Sequence, residues 1–307
     1  MLTVSAPGKL MLMGEHAVVY GYPCIVTAVS ERLSVSIEET QDEKITIDAP
    51  QVKDTRFVDQ AIIEGCKAWN ITHHGLRLTT HSNFSNCYGF GSSSAVTVAT
   101  LYAIATLFKQ SLDTKMLFDL AYQTVLAIQG VGSGFDIAAA IYGGTIVYTK
   151  GGKILDQLAW DLNNDVSLVV GYTGMKADTP TIVKEIAKKK EEQPERVNRI
   201  FEAIAKLVMQ AKTAGDKKDW ETVGKFMNFN QEYLRDLGVS TEKLEVMIHA
   251  ANKAGAYGAK LSGAGGGDCM IALTLTEKKK IIEQAIISVG GIVVPVSIHT
   301  EGVRIEQ

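Results

Sequence analysis

Hydrophobic and polar residues alternate over residues 2 to 39, and a Gly-Tyr-Pro turn interrupts the alternation at residues 21 to 23. Alternation with a period of two is typical of strands, so this segment predicts strands on both sides of a loop. From Ser92 onward the apolar residues recur at helical spacing, and Gly89-Phe90-Gly91 directly precedes them. The pattern therefore predicts a glycine-rich loop that leads into a helix beginning with serines.

The rest of the chain contains further helices and fewer strands. A helix is predicted over about 114 to 129, followed by a glycine loop, a helix and a strand, and residues 166 to 172 predict a buried strand. Amphipathic stretches predict helices near 180 to 190, 195 to 213, 217 to 236 and 240 to 254. The last 50 residues predict a strand, glycine loop, strand, helix and strand, with the helix at 277 to 288 and the last strand in GIVVPVSI. The order favours the α+β class, with domains at 1–160 and 161–307.

Composition limits the classes of protein that this chain can belong to. Its 307 residues are 46% hydrophobic and 21% charged, which is typical of a folded protein with two subdomains around a cleft. The four cysteines form no CxxC motif, so neither a zinc knuckle nor a disulfide framework is indicated. A net charge of −3 gives no overall attraction to nucleic acids or anionic lipids. No secretory signal pattern is present and the apolar run 95–108 is too short for a bilayer, so we expect a cytoplasmic protein with no nucleic-acid or membrane partner.

The segment YGFGSSSA at 88–95 is a candidate phosphate-binding loop. Backbone N–H groups of a glycine loop and a helix N-terminus attract anions, and the hydroxyl of Ser92 or Ser93 is a suitable Mg²⁺ ligand. An ordinary turn followed by a helix cap explains the same residues equally well. The chain contains neither GxxxxGK[ST] nor GxGxxG, so an ordinary P-loop and a Rossmann fingerprint are both excluded.

Four polar residues lie in apolar or glycine-rich surroundings. Lys9, Glu15 and His16 lie in PGKLMLMGEHAVVYG, and Asp136 follows a glycine loop in GSGFDIAAA. Charged groups are costly to bury unless they are paired, so these positions are candidates for a functional site. A surface lysine, a polar loop and a helix cap are the alternative interpretations of the individual residues.

Three motifs occur in order over nearly the whole chain: APGKLMLMGEHAVVYG, GFGSSSA and KLSGAGGGDCMIAL. Together they resemble those of the GHMP small-molecule kinases. GEHAVVYGYP is similar to mevalonate kinases, and FMNFNQEYLRDLGVSTEKLE with GAYGAKLSGAGGG is similar to their short, archaeal type. The resemblance implies a GHMP kinase fold, with an N-terminal domain of the ribosomal-protein-S5-like βαβ type, a ferredoxin-like C-terminal domain and ATP in the cleft.

The resemblance also implies roles for individual residues. Asp136 corresponds to the catalytic aspartate and Lys9 to its companion lysine. The implied acceptor-site residues are Glu15, His16, Gly263 and Ala264, and the Gly263 to Gly267 loop would support the phosphates and the acceptor. The implied ATP-binding residues are Gly89, Phe90, Gly91, Ser92, Ser93 and Ser94. The implied ligands are ATP, Mg²⁺ held partly by Ser93, and mevalonate as the acceptor, and a homodimer is a candidate assembly.

Two features depart from the mevalonate kinase pattern. Those enzymes place a magnesium-binding Glu four residues before the Gln or His that precedes the catalytic loop, and here Val125 lies four residues before Gln129. QGVGSGFDIAAAIYGG, VGYTGMKADT and SGAGGGDC resemble phosphomevalonate kinases, whose phosphorylated acceptor would need a further cation, for which Lys176 is a candidate. His16 favours mevalonate kinases, since phosphomevalonate kinases usually carry Tyr there.

Three functional hypotheses follow. The favoured one is phosphorylation of the 5-hydroxyl of mevalonate by ATP, which gives 5-phosphomevalonate in isoprenoid biosynthesis, because the length and the C-terminal helices suit mevalonate kinase. The second is conversion of 5-phosphomevalonate to 5-diphosphomevalonate. The third is a GHMP-fold protein that binds a ligand without turnover.

Overall fold

The computed structural model describes residues 1–306 except 73, 74, 86, 154, 161, 163 and 165. Its strands are β1 (Leu2–Met13), β2 (Cys24–Thr40), β3 (Ile45–Asp48), β4 (Gly75–Ser82), β5 (Thr145–Tyr148), β6 (Leu155–Leu158), β7 (Val166–Tyr172), β8 (Gly258–Ser262), β9 (Cys269–Leu275), β10 (Ile292–Val294) and β11 (Arg304–Ile305). Its α-helices are α1 (Arg56–Ala68), α2 (Ser92–Leu107), α3 (Thr114–Gln129), α4 (Phe135–Tyr142), α5 (Thr179–Glu192), α6 (Pro194–Asp216), α7 (Trp220–Asp236), α8 (Glu242–Lys253) and α9 (Lys279–Ser288).

The first sheet has the strand order β11-β1-β2-β4-β3, and β5 and β6 extend it from the side of β2. Strands β1 and β2 are antiparallel along most of their length, and β3 runs parallel to β4. Helix α2 packs against β1, β2, α1 and α3, so it is covered on nearly every side. That explains why its sequence is apolar all round and why even Thr97 and Thr100 are fully buried.

The second sheet has the antiparallel order β10-β7-β9-β8. Every residue of β7 is buried, including Ser167, as its largely apolar sequence predicts. Helices α7, α8 and α9 pack against this sheet, and α6 packs along α7. No helix among the described residues is both long and apolar enough to cross a bilayer.

The two sheets are joined through β1. The Met11 N–H donates to the Ser262 hydroxyl oxygen at 3.0 Å, and that hydroxyl donates to the Met11 carbonyl at 2.9 Å. The last strand, β11, crosses back to the first sheet, where Ile305 lies opposite Val4. Strand β1 is thereby held between the second sheet and β11. It carries Lys9, one of the residues of the candidate site.

The helix predictions agree with the structure within a few residues. The interval predicted as 114 to 129 is α3, because Asp113 caps its first turn through the Met116 N–H at 2.7 Å and Gly130 ends it in a left-handed conformation. The last predicted strand is shorter than GIVVPVSI, since Pro295 has no N–H for a ladder. Residues 45–82, for which the sequence pattern gave no prediction, form β3, α1 and β4.

Candidate active site

A cavity of about 620 Å³ opens beside β1. Its lining includes β1 and the residues after it, the N-termini of α2 and α4, the end of α3, the turn after β7, and the β8–β9 loop, together with residues from the segment 49–58 and from β4. The cavity-lining residues among those predicted are Lys9, Glu15, His16, Gly89, Phe90, Gly91, Ser92, Ser93, Asp136, Gly263 and Ala264. Ser94 is the exception, because its side chain is buried in the packing of α2 and does not line the cavity.

Helix α2 begins at the cavity wall without a side-chain cap. Gly91, at its N-cap, has a left-handed φ of 77°, and Ser92 and Ser93 line the cavity directly after it. A 16-residue helix carries a partial positive charge at its N-terminus, where the first N–H groups have no intrahelical partner. The loop and helix start can therefore bind an anion, as the sequence predicts.

Lys9 extends from β1 beneath this loop. Its ammonium donates to the Gly89 carbonyl at 2.7 Å and lies 5.3 Å from the centre of the Phe135 ring. Burial lowers the pKa of Lys9, and the negative charge of Asp136 is the largest of the charges that oppose this fall. A Cβ on Gly91 would lie 3.2 Å from Lys9 Cε and 3.5 Å from Asp136 Cβ, so glycine lets the helix start approach both residues.

Asp136 lies in the first turn of α4 and lines the same cavity. Its Oδ1 accepts a hydrogen bond from the Ile137 N–H at 3.1 Å. The preceding loop is held by Tyr148, whose hydroxyl donates to the Ser133 carbonyl at 2.6 Å, and by Tyr122, whose hydroxyl donates to the Gly132 carbonyl at 2.9 Å. A carboxylate and an ammonium from distant parts of the chain therefore meet at one anion-binding helix start.

Glu15 lies in the turn that follows β1 and is almost completely buried. It forms an ion pair with Lys260 of β8, whose side chain is likewise inaccessible to solvent. Burial raises the pKa of Glu15 and lowers the pKa of Lys260, and each group's charge opposes the shift of the other. The second carboxylate oxygen, Oε2, is buried and accepts no hydrogen bond from the described chain. Glu15 lines the cavity, but Oε2 itself is inaccessible to solvent, so the residue acts on the cavity through its charge and through the turn that its ion pair anchors.

His16 connects the same turn to the third glycine loop. Its Nε2 lies 2.9 Å from the Ala264 carbonyl oxygen. Burial lowers the pKa of His16 to about 4, so at neutral pH the imidazole is uncharged and Nε2–H is the donor in this bond. His16 thus holds Ala264 at the cavity wall.

The third glycine loop divides into two functional parts. Gly263 and Ala264 line the cavity, as predicted. A Cβ on Gly265 would lie 2.2 Å from the Val239 carbonyl oxygen, and one on Gly267 would lie 2.8 Å from the Met175 carbonyl oxygen. The expectation that the loop from 263 to 267 supports the phosphates and the acceptor stays a prediction. Gly265, Gly266 and Gly267 are not among the cavity-lining residues, and they allow close packing of the loop on neighbouring segments.

Two functional candidates were missed by the sequence reasoning. Lys260 is the buried partner of Glu15, and Asp268 is a buried carboxylate that lines the cavity. A charged residue inside an apolar strand usually has a buried partner, so the position of Lys260 in β8 was a signal that such a partner exists. That partner lies 245 positions away, a separation that no local pattern spans.

The cavity offers few protein ligands for a metal ion. Within the described ranges, no three His, Cys, Asp or Glu side chains are clustered to hold a metal. Val125 is 4% exposed and lines the cavity with an apolar side chain. The resulting donor set suits a cation that arrives with phosphate groups and keeps part of its water shell, as Mg²⁺ usually does.

The chain matches two family descriptions and is similar to known proteins along its whole length. Residues 56–144 match the GHMP kinases N terminal domain, and residues 200–290 match the GHMP kinases C terminal region. The mevalonate kinase of Pyrococcus furiosus is 35% identical, over 99% of this chain and 98% of the relative.

Two solved structures share the fold. That of L. major mevalonate kinase in complex with R-mevalonate has a TM-score of 0.82 at 26% identity, covering 97% of this chain and 95% of that one. Streptococcus pneumoniae phosphomevalonate kinase in complex with phosphomevalonate and AMPPNP has a TM-score of 0.85 at 19% identity, covering 97% and 100%, a likeness that concerns the fold alone. The predicted GHMP kinase fold is thus confirmed, and the full-length identity shows that the chain belongs to the GHMP kinases and, within them, to the family of the mevalonate kinases.

Proposed function

We propose that this protein transfers the γ-phosphoryl group of ATP to the 5-hydroxyl of mevalonate and releases 5-phosphomevalonate and ADP. The observation that carries the proposal is the meeting of Lys9 and Asp136 at the N-termini of α2 and α4 inside one cavity. Mevalonate is the acceptor chosen because the chain is similar to mevalonate kinases over its full length. Glu15 and His16, which line the cavity, belong to the segment GEHAVVYGYP that resembles mevalonate kinases.

The loop and helix start at residues 89–93 would bind the ATP phosphates through backbone N–H groups. Asp136 would accept the proton of the attacking hydroxyl as the new O–P bond forms and the bond to the ADP oxygen breaks. Lys9 would stabilise the negative charge on the hydroxyl oxygen or on the transferred group. Phosphoryl transfer depends mainly on positioning and charge stabilisation, which is what these two side chains provide.

The acceptor would lie between residues 15–16 and the third glycine loop. Glu15 would shape this subsite through the turn that its ion pair with Lys260 anchors, since its Oε2 is inaccessible to solvent. Because the Glu15 side chain is held by Lys260 and His16 is held by Ala264, the wall of this subsite is rigid. Such a wall fixes the acceptor without losing side-chain entropy on binding.

Mg²⁺ would enter with ATP, and the Ser93 hydroxyl is the protein ligand that we propose for it. The ion would neutralise charge on the phosphates when bound. With Val125 at the position where mevalonate kinases carry a Glu, phosphate oxygens and water would supply most of the remaining ligands.

Lys176 keeps phosphomevalonate kinase as a second candidate. It is exposed and lines the cavity, so its ammonium is available to an anionic group on the acceptor. Release of ADP measured with mevalonate and with 5-phosphomevalonate decides between the two activities. Turnover of mevalonate alone is expected, and turnover of 5-phosphomevalonate alone would overturn the proposal. Tight ATP binding without ADP release from either compound would favour a ligand-binding protein without turnover.

Asp136→Asn tests the catalytic assignment. The amide keeps the size of the side chain and loses the proton acceptor, so kcat should fall by about 10²- to 10⁴-fold while the Kd of ATP changes by less than a few-fold. Asp119→Asn is the matched control, because Asp119 is an exposed acid on α3 paired with Lys115. A variant Asp136→Asn with near wild-type kcat would show that this carboxylate is not the base.

The cytoplasmic location and the homodimer remain predictions. Sedimentation of the purified protein at several concentrations tests the second, since a dimer should persist at micromolar concentration.

A further inference from the structure

Asp268, the residue that ends the third glycine loop, fixes the turn after β7. Its backbone N–H donates to the Met175 carbonyl at 2.8 Å, and its carbonyl accepts from the Thr173 N–H at 2.9 Å. Its side-chain Oδ1 accepts from the Ala177 N–H at 2.8 Å. The whole turn 173–177, which carries the cavity-lining Lys176, is therefore attached to one residue.

The same carboxylate faces the first glycine loop. A Cβ on Gly89 would lie 2.6 Å from Asp268 Oδ2, so only a glycine leaves room for the carboxylate there. The Gly89 carbonyl is also the acceptor for the Lys9 ammonium. Asp268 thus brings a negative charge from the second half of the chain to the same loop residue that binds the lysine of the first half.

Several charged or titratable groups face Lys9 from the elements packed around it. Asp136 faces it from α4, Asp268 and Cys269 from the β8–β9 loop and the start of β9, and Glu15 from the turn after β1. Burial lowers the pKa of Lys9, and these four groups oppose that shift. Burial raises the pKa of Asp268, and the charges of Lys9 and Lys176 oppose it. Lys9 and Asp268 therefore favour each other's charged form.

The backbone at Asp268 is in an uncommon conformation. Its φ is 52°, in the left-handed region that residues with a side chain seldom occupy. Three glycines precede this position in the sequence, so an aspartate in a conformation that suits glycine indicates a role for the carboxylate itself.

We propose that Asp268 is a positioning residue of this kinase, which keeps Lys9 charged under the ATP loop and holds Lys176 at the acceptor side of the cavity. The proposal rests on the function proposed above. Asp268 acts through these two lysines and through the turn 173–177, and it takes no part in bond formation.

Asp268→Asn separates the role of the charge from the role of the hydrogen bond. Asparagine tolerates a positive φ and retains an acceptor for the Ala177 N–H, but it removes the negative charge beside Lys9. The alkaline limb of the kcat profile, where Lys9 loses its proton, should move down by about one pH unit. The KM of ATP should stay within a few-fold of wild type, because the N-terminus of α2 is unchanged.

Asp268→Gly removes the charge and the Ala177 bond together while suiting the backbone. It should show the same shift of the alkaline limb and, in addition, a rise of about ten-fold in the KM of the acceptor, because the turn with Lys176 keeps its two backbone bonds but loses the side-chain bond at Ala177. Should Asp268→Asn fail to fold, this variant supplies the same pH test. Thermal melting reports the stability of both.

Asp178→Asn is the matched control. Asp178 is an exposed acid that caps α5 through the Thr181 N–H, and asparagine caps a helix equally well. Its pH profile should match that of wild type. If wild type turns over mevalonate and the profiles of both Asp268 variants also match it, the positioning role is refuted. If wild type itself shows no turnover, the proposed function fails instead, and the two failures are distinguishable.

Discussion

The buried ion pair between Glu15 and Lys260 gives the sharpest prediction, because stability and acceptor binding depend on it in different ways. The two side chains are 1% and 0% exposed, so neither charge is stabilised by water. Lys260→Met keeps the length and apolar stem of the side chain and removes the ammonium. The Glu15 carboxylate is then buried with no cation beside it.

Removal of one partner from a buried pair typically lowers the free energy of unfolding by about 3–5 kcal/mol. At about 2–4 °C per kcal/mol for a chain of this size, Tm should fall by roughly 10 °C. Glu15 should then take up a proton more readily, since burial already raises its pKa and the opposing charge of Lys260 is gone. Because the turn that carries Glu15 lines the acceptor side of the cavity, the loss of its ion pair should also raise the KM of mevalonate, by about ten-fold.

Calorimetry and steady-state kinetics on purified variants measure both effects. Lys225→Met is the matched control, since Lys225 forms an exposed pair with Glu221 at 2.7 Å and its loss should cost less than about 1 kcal/mol. The double variant Glu15→Gln/Lys260→Met should regain stability without regaining acceptor affinity. If Lys260→Met melts within 2 °C of wild type, or binds mevalonate as well as wild type does, this account of the pair is wrong.

Three further predictions concern the cavity. Burial lowers the pKa of His16 from 6.5 to about 4, so the neutral imidazole contributes fully to the stability of the fold above pH 6.5, and this contribution is lost as the pH falls towards 4. Urea unfolding should therefore give a free energy of unfolding about 2 kcal/mol lower at pH 5 than at pH 7. His16→Asn should remove that part of the pH dependence. Gly91→Ala should lower the free energy of unfolding by about 1 kcal/mol or more, because φ at Gly91 is 77°. The same variant should raise the KM of ATP, and unchanged ATP kinetics would show that the loop does not bind phosphate. Val125→Glu should lower the Mg²⁺ concentration for half-maximal activity, and an unchanged titration would place this position outside the metal shell.

The sequence was sufficient where the signal lies within a turn or two of the residue concerned. The bounds of α3 follow from an acid at one end and a glycine at the other. The glycine at 91 and the serines after it indicate where α2 begins, and the structure shows that the helix start has no side-chain cap. The identities of Lys9 and Asp136 as candidates followed from motifs that resemble a known family. The structure places both at one cavity.

Tertiary structure decided everything that depends on contacts between distant segments. The partner of Glu15 and the return of the last strand to β1 each involve residues far apart in the chain. The close packing of Gly265 on Val239 depends on the tertiary structure, and so do the contacts of Asp268 with Ala177 and with Gly89. Periodicity, caps and glycine turns are local because they arise from backbone geometry within a few residues, whereas the pairing of buried charges depends on which surfaces the folded chain brings together.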